Sequence, residues 1–204
     1  MRKSCVKAKI FCFCARHVSA HHLRHRGFLA VHSVKENHHD PGLITPSTLD
    51  MREYSTISTA LNDYVLEINI SRPEKLNSLT IQFFKDLLDI FNFVRDSADV
   101  RVVIISGQGR VFSAGLDLAE MDCFPGTTDK DPAREAIRFF PLIRLFQDAV
   151  TAIEKCNKPV IAAVSGACIG GGVDLICACD IRYSSSDAFF SIKEVDIGLA
   201  ADVS

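Results

Sequence analysis

The sequence has no tryptophan and only three tyrosines, but its most informative shortage is of histidine. All seven histidines lie at or before His39. The rest of the chain therefore cannot build a histidine-based nucleophilic triad or a histidine-ligated metal site. Acids are absent from residues 1–35, which carry eight Lys or Arg side chains. From Tyr54 onward the balance reverses, to 14 basic and 21 acidic side chains. A mildly acidic body without interleaved basic and aromatic residues argues against nucleic acid as a partner. No run reaches the roughly 18 uninterrupted apolar residues that a membrane span requires. The eight cysteines include two CxC pairs and no CxxC, a spacing that fits neither a zinc ribbon nor a disulfide framework. Cys168, Cys177 and Cys179 read instead as small buried hydrophobes in a reducing compartment.

The acid-free segment 1–33, with Arg2, Lys3, Lys7, Lys9, Arg16, Arg24 and Arg26 among apolar residues, has the composition of a mitochondrial transit peptide. A disordered extension is the competing reading, since serine is scarce there. The apolar stretch Ala8–Cys14 is interrupted by Lys9 and followed by Arg16, which disfavours a secretory signal. His17, His21, His22 and His25 could chelate a metal, but a solvated tail accounts for them more simply. Residues 34–53, with Pro41-Gly42 and Pro46, read as a linker, and a globular domain is expected over residues 54–204.

Within that domain, Tyr64–Ile70 alternates apolar and polar residues as a half-buried strand does. An amphipathic helix should follow Thr80, its N-cap, with Phe83, Phe84, Leu87, Leu88, Phe91 and Val94 facing the core. Val102–Ile105 and Pro159–Val164 read as buried strands. Asp131-Pro132 should open a helical region that Pro141 kinks and that continues to Cys156. Val173–Cys179 reads as a short helix, followed by strands at Ile181–Ser184 and Ala188–Ile192. Alternation of strands and helices gives an α/β fold.

Two segments carry chemistry. In Val160–Leu175 a buried strand runs into Gly170-Gly171-Gly172 and then a helix, exposing the unpaired N–H groups of a first helical turn to an anion. The spacing is neither that of a Walker A loop nor that of a dinucleotide fingerprint. Three successive glycines at a helix start point to close approach to the backbone. In Gly109–Leu118 another buried strand ends in a turn of small residues, a second source of an exposed N–H.

Phe112-Ser113-Ala114-Gly115-Leu116-Asp117-Leu118, the glycine run ending in Asp174, and Arg72-Pro73 with Asn77 together resemble the enoyl-CoA hydratase/isomerase (crotonase) superfamily, in order and across residues 54–204. The resemblance implies a crotonase-like spiral of repeated β-β-α units and an acyl-CoA thioester as substrate, with CoA part of the substrate and no separate cofactor or metal. It implies that the backbone N–H groups of Leu116 and Gly171 form an oxyanion hole, with Ser113, Ala114, Gly115 and Asp117 in the surrounding substrate-binding turn. One such donor is typically worth about 10²–10³ in rate. A helix cap or surface charge is the plainer reading of Asp117, Asp180 and Asp196.

Hydratases of this superfamily carry glutamates at the positions of Asp174 and Glu194. Asp174 is one methylene shorter, which makes a hydratase-type water clamp doubtful. With Phe189–Val203 and the additional acid Asp202, the pattern resembles the Δ(3,5)-Δ(2,4)-dienoyl-CoA isomerases. That resemblance implies that Asp202 takes a proton at carbon 2, that Glu194 delivers one at carbon 6, and that Asp174 tunes the pair or orients the substrate. It also implies a mitochondrial or peroxisomal compartment. Beyond Ser204 it implies further strands and a C-terminal helical region that closes the acyl pocket and carries homotrimer or hexamer contacts; the sequence stops short of these. Ala119 departs from the lysine that hydratases often carry near CoA, so other groups would have to hold the cofactor moiety. An enoyl-CoA hydratase and a catalytically silent chain that only binds related subunits are the alternatives.

Overall fold

A computed structural model of the chain describes residues 9–10, 53–123, 131–198, 200, 201 and 203. The expected leader and linker fall almost entirely outside these residues, and so does Asp202. Among the described residues no helix is long and apolar enough to cross a membrane.

The strands are β1 (Lys9–Ile10), β2 (Ile57–Asn62), β3 (Val65–Ile70), β4 (Val102–Gly107), β5 (Val160–Val164), β6 (Ala167–Ile169), β7 (Ile181–Ser184) and β8 (Phe189–Ser191). The helices are α1 (Ile81–Asp96), α2 (Pro132–Glu154) and α3 (Gly171–Ala178). The larger sheet has the order β1-β7-β5-β4-β3-β2. Its middle members β3, β4, β5 and β7 run parallel, and β2 and β1 pair antiparallel at the two ends. The parallel pairing follows from crossovers through helical segments, as it does in α/β folds.

A smaller sheet pairs β6 with β8 in parallel. Two isolated parallel bridges, Leu79 with Leu116 and Ser113 with Cys168, extend its pattern. The chain thus winds repeatedly: after leaving the large sheet at the C-terminal ends of β3, β4 and β5, it lays a short extended segment beside the one from another turn. This is the expected spiral, and the mixed α/β architecture agrees with it. The strand β2 and the short strand β6 were not anticipated. Three residues between Gly166 and Gly170 are too few to give a periodic signal.

Helix α1 forms where its apolar spacing places it. Phe83, Phe84, Leu87, Ile90, Phe91 and Val94 are buried on one face, and the Thr80 hydroxyl caps the helix by accepting the Phe83 N–H at 3.1 Å. Asp86 is buried on the same helix, tolerated because it accepts hydrogen bonds from Thr56 Oγ1 at 3.0 Å and Gln82 Nε2 at 2.7 Å. Helix α2 opens at the expected Asp131-Pro132, whose aspartate accepts the Ala133 N–H, and keeps Pro141 inside it. The rings of Phe84 and Phe146 meet at 4.2 Å between centroids and tie α1 to α2.

Helix α3 starts at Gly171, earlier than expected from the first apolar residue, Val173. Strand β4 is buried on one face only, with Val103 and Ile105 inward and Val102 and Ile104 half-buried. A continuous apolar run had suggested burial on both faces.

Removing the Phe84 ring leaves a cavity between two helices, whereas removing the Thr80 hydroxyl leaves only an unsatisfied N–H. Urea denaturation should therefore show Phe84→Ala losing about 3–5 kcal/mol and Thr80→Ala losing about 1 kcal/mol.

Candidate active site

The segments that follow the C-terminal ends of β4 and β5, together with the turn after β8, line one cavity. Ligands characteristically bind at these strand ends in α/β sheets. The cavity has a volume of about 180 Å³ and is lined by Ala114, Gly115, Leu116, Leu118, Ile169, Gly170, Lys193, Glu194 and Ile197. Its walls are mainly apolar.

The loop after β4 is shaped against the loop after β3. Leu79 donates its N–H to Gly115 O at 2.8 Å and accepts the Asp117 N–H at 2.9 Å. Both bonds go to the residues flanking Leu116, so in this parallel bridge the Leu116 N–H faces away from Leu79. It has no hydrogen-bond acceptor among the described residues. Gly171 is the first residue of α3, and its N–H lacks an intrahelical acceptor for the reason common to all helix starts. Leu116 lines the cavity, and Gly171 directly follows Gly170, which lines it as well.

The glycines have distinct reasons. Gly170 adopts φ +52°, and a Cβ there would lie 2.8 Å from Glu194 Oε1. Gly115 adopts φ +89°, and a Cβ there would lie 3.0 Å from Ile169 O. These close approaches let the backbone and the Glu194 carboxylate share a small space. Gly172 instead packs against Ser113, whose Cβ would be 3.0 Å away.

Glu194 stands in a 3-10 turn, Glu194–Ile197, and is only 8% exposed. Its Oε2 is buried and has no hydrogen-bond partner among the described residues. A carboxyl group placed in that way on a cavity wall is suited to exchanging a proton with a bound molecule. Asp174 is buried in the first turn of α3 and does not line the cavity. Burial pushes the neighbouring Cys168 thiol up to about 12, with Cys177 and the Asp174 charge adding to the effect. Burial does the same to Cys179, also to about 12, partly opposed by Arg182.

The other expected site residues divide. Ala114, Gly115 and Leu116 line the cavity. Ser113 does not: fully buried, it donates to Asn77 O at 2.8 Å and accepts the Gly115 N–H at 3.1 Å, so it shapes the turn. Asp117 is likewise directed into the protein, in an ion pair of 2.8 Å with Arg72. That contact, then the Ser78 and Ala119 hydrogen bonds, hold its carboxyl below the ordinary value of 3.8 against the opposing effect of burial. Asp180 accepts the Val160 N–H, and Asp196 pairs with Lys193.

Sequence reasoning did not assign a role to Asn77. Its φ is +54°, it is fully buried, and its side chain donates to Gln108 O and Val111 O while accepting the Arg72 N–H. It pins the β3 loop to the β4 loop. The cavity walls formed by Leu118, Ile169, Lys193 and Ile197 were also unforeseen, since a residue that only lines a cavity has no motif of its own. Among the described residues no group of three His, Cys, Asp or Glu side chains is placed to hold a metal ion.

Strand-end loops, backbone N–H groups left without acceptors among the described residues and a buried carboxyl group meet at one cavity, and the chain belongs to the enoyl-CoA hydratase/isomerase family, whose profile matches residues 60–204. Among characterised relatives, the mitochondrial Δ(3,5)-Δ(2,4)-dienoyl-CoA isomerase of Rattus norvegicus is 47% identical over 161 residues, covering 78% of this chain and 49% of that protein. The peroxisomal Δ(3,5)-Δ(2,4)-dienoyl-CoA isomerase of Arabidopsis thaliana is 43% identical over 160 residues, covering 76% of this chain and 58% of that protein. The chain therefore spans about half the length of these relatives. A solved structure of a putative enoyl-CoA hydratase from Thermobifida fusca in complex with acetoacetyl-CoA superposes with a TM-score of 0.64 at 30% identity, over 74% of this chain and 59% of that one.

Gly170→Ala should strain the left-handed backbone by about 1–3 kcal/mol and displace the Glu194 carboxyl group. Thermal denaturation should show the first effect as a melting temperature below that of wild type. For Asp117, a folded-state pKa below the unfolded one means that its stabilisation is fully present above pH 3.8 and is lost as pH falls through the lower folded value. Asp117→Asn should accordingly be less stable than wild type at neutral pH, with the gap closing at the acid end of a denaturation series.

Proposed function

We propose that the protein isomerises a 3,5-dienoyl-CoA to the 2,4-dienoyl-CoA in fatty acid β-oxidation, in a mitochondrial or peroxisomal setting. The observation that carries this reading is the buried Glu194 carboxyl group, with one oxygen unpartnered among the described residues, on the wall of the cavity that Leu116 also lines. The identities to dienoyl-CoA isomerases support the choice of substrate.

The chemistry is a balanced proton shift. A base removes the proton at carbon 2, and the electron pair delocalises into the thioester carbonyl and along the diene. The N–H groups of Leu116 and Gly171 stabilise the resulting oxyanion. Protonation at carbon 6 then moves both double bonds toward the carbonyl, and no proton is gained or lost overall. Asp202 is assigned as the base at carbon 2 and Glu194 as the acid at carbon 6, with Asp174 tuning the pair from its buried position. With no histidine after His39, carboxyl groups are the suitable shuttles in this part of the chain. The hydratase reading needs two glutamates around a water, and Asp174 does not reach the cavity wall.

Purified protein mixed with a 3,5-dienoyl-CoA should develop the longer-wavelength absorbance of a diene conjugated with the thioester. Glu194→Gln and Asp202→Asn should each slow this by about 10²–10⁴-fold. Normal turnover by Asp202→Asn would remove Asp202 from the mechanism. Hydration of a 2-enoyl-CoA without isomerisation would favour the hydratase. Failure to bind any CoA thioester, alongside co-purification with a longer related subunit, would favour the silent chain.

A further inference from the structure

The turn that presents the Leu116 N–H is held by a charged clamp in addition to its backbone bonds. Arg72 Nη1 donates to Ser78 O at 2.8 Å, to Ser78 Oγ at 3.0 Å and to Asp117 Oδ2 at 2.8 Å. The Ser78 hydroxyl donates to the same Asp117 oxygen at 3.0 Å, while Asp117 Oδ1 accepts the Ala119 N–H at 3.1 Å. The side chains of Arg72 and Asp117 are only 19% and 15% exposed, so the pair is largely shielded from solvent and salt.

The position of this clamp is what gives it a function. Asp117 directly follows Leu116, and Ser78 directly precedes Leu79, the residue whose N–H and C=O bond to either side of Leu116. The clamp therefore grips both ends of the bridge that sets the direction of the Leu116 N–H. Neither Arg72 nor Asp117 lines the cavity. An oxyanion donor is effective only when fixed in advance within about 0.5 Å of its working position. All three acceptors meet the single Nη1 atom of Arg72, so the clamp depends on that one donor position.

We propose that Arg72 and Asp117 are positioning residues that aim the Leu116 N–H at the carbonyl oxygen of a bound thioester. The inference rests on reading the cavity as a thioester site, but not on which double bonds are moved. A second link between the same segments, from Glu120 Oε2 to the Ile81 N–H at 2.7 Å, lies farther along both loops and serves as a control. If the clamp only adds stability, loss of either link should have the same consequence.

The test is the carbonyl stretch of a saturated acyl-CoA carrying ¹³C at the thioester carbon, measured by difference infrared spectroscopy on the intact protein. Calorimetric affinities and thermal denaturation of each variant accompany it, and spectra are recorded well below each melting temperature. In wild type the bound carbonyl band should move to lower frequency than in solution. Asp117→Asn and Arg72→Met should return it at least halfway to the solution value, with Kd changed by less than about threefold, because polarisation and ground-state binding are separable. Glu120→Ala, which removes the acceptor of the Ile81 N–H, should keep the wild-type band. Where turnover is measured, kcat should fall about 10–100-fold in the two clamp variants with little change in KM, a partial loss of one oxyanion donor.

A wild-type band in both clamp variants would overturn the inference, whatever the isomerase assay shows. A band restored equally by Glu120→Ala would also overturn it, since the effect would then be general loosening. Absence of a shifted carbonyl in wild type would overturn it too, leaving the isomerase reading to its own turnover assay. A clamp-dependent shift without dienoyl-CoA turnover would support the inference while counting against the proposed isomerase activity.

Discussion

Leu79 makes two backbone hydrogen bonds to the residues on either side of Leu116, and much of the site geometry depends on that pairing. A parallel bridge has an inherent asymmetry: one residue uses both its N–H and its C=O, and the residue opposite is left with its own groups directed elsewhere. Here the residue left over is Leu116. Its unmet N–H is thus a consequence of register in a short bridge, a feature that neighbouring bonds must then hold in place. Asn77, Ser113, Arg72 and Asp117 supply those bonds, linking the loop after β3 to the loop after β4.

The same winding explains why so many polar residues in the family-like motifs are turned inward. Ser113 and Asn77 are fully buried, and each uses its side chain to satisfy backbone groups of a neighbouring turn of the spiral. Loops at strand ends cannot bury their peptide groups without such partners. Conformational precision in this site is therefore built from structural hydrogen bonds, and the cavity itself keeps mainly apolar walls with the Glu194 carboxyl group set among them. A carboxyl group that has little water around it and one oxygen unpartnered among the described residues is responsive to whatever enters the cavity.

The readable parts of the sequence were those with a strong local signal. Thr80 and the apolar period after it defined α1, Asp131-Pro132 defined the start of α2, and Gly170–Gly172 marked the turn into α3. Less was legible where pairing partners are distant in sequence. Strand β6 has three residues, and its existence depends on β8 and on Ser113, neither of which is its near neighbour. Glu194 was recognised within a matched motif, but its approach to Gly170 required the turn after β8 to fold back beside the start of α3. Asp117 shows the limit most clearly: its reading as a helix cap is met by its bond from the Ala119 N–H, but its ion pair with Arg72, 45 positions away in sequence, needed the fold.

What the sequence determined alone is the class of chemistry and its vocabulary. Histidine ends at His39, two glycine-bearing turns follow buried strands, and acids cluster after the second; these choices of residue type remove histidine chemistry from the body and point to backbone donors and carboxyl groups. Which donors stay free, which carboxyl reaches a cavity and which is locked in an ion pair were decided only by tertiary structure. The reason is physical: a backbone N–H is the same group in every non-proline residue, and whether it is available depends on the acceptor that another turn of the chain brings near.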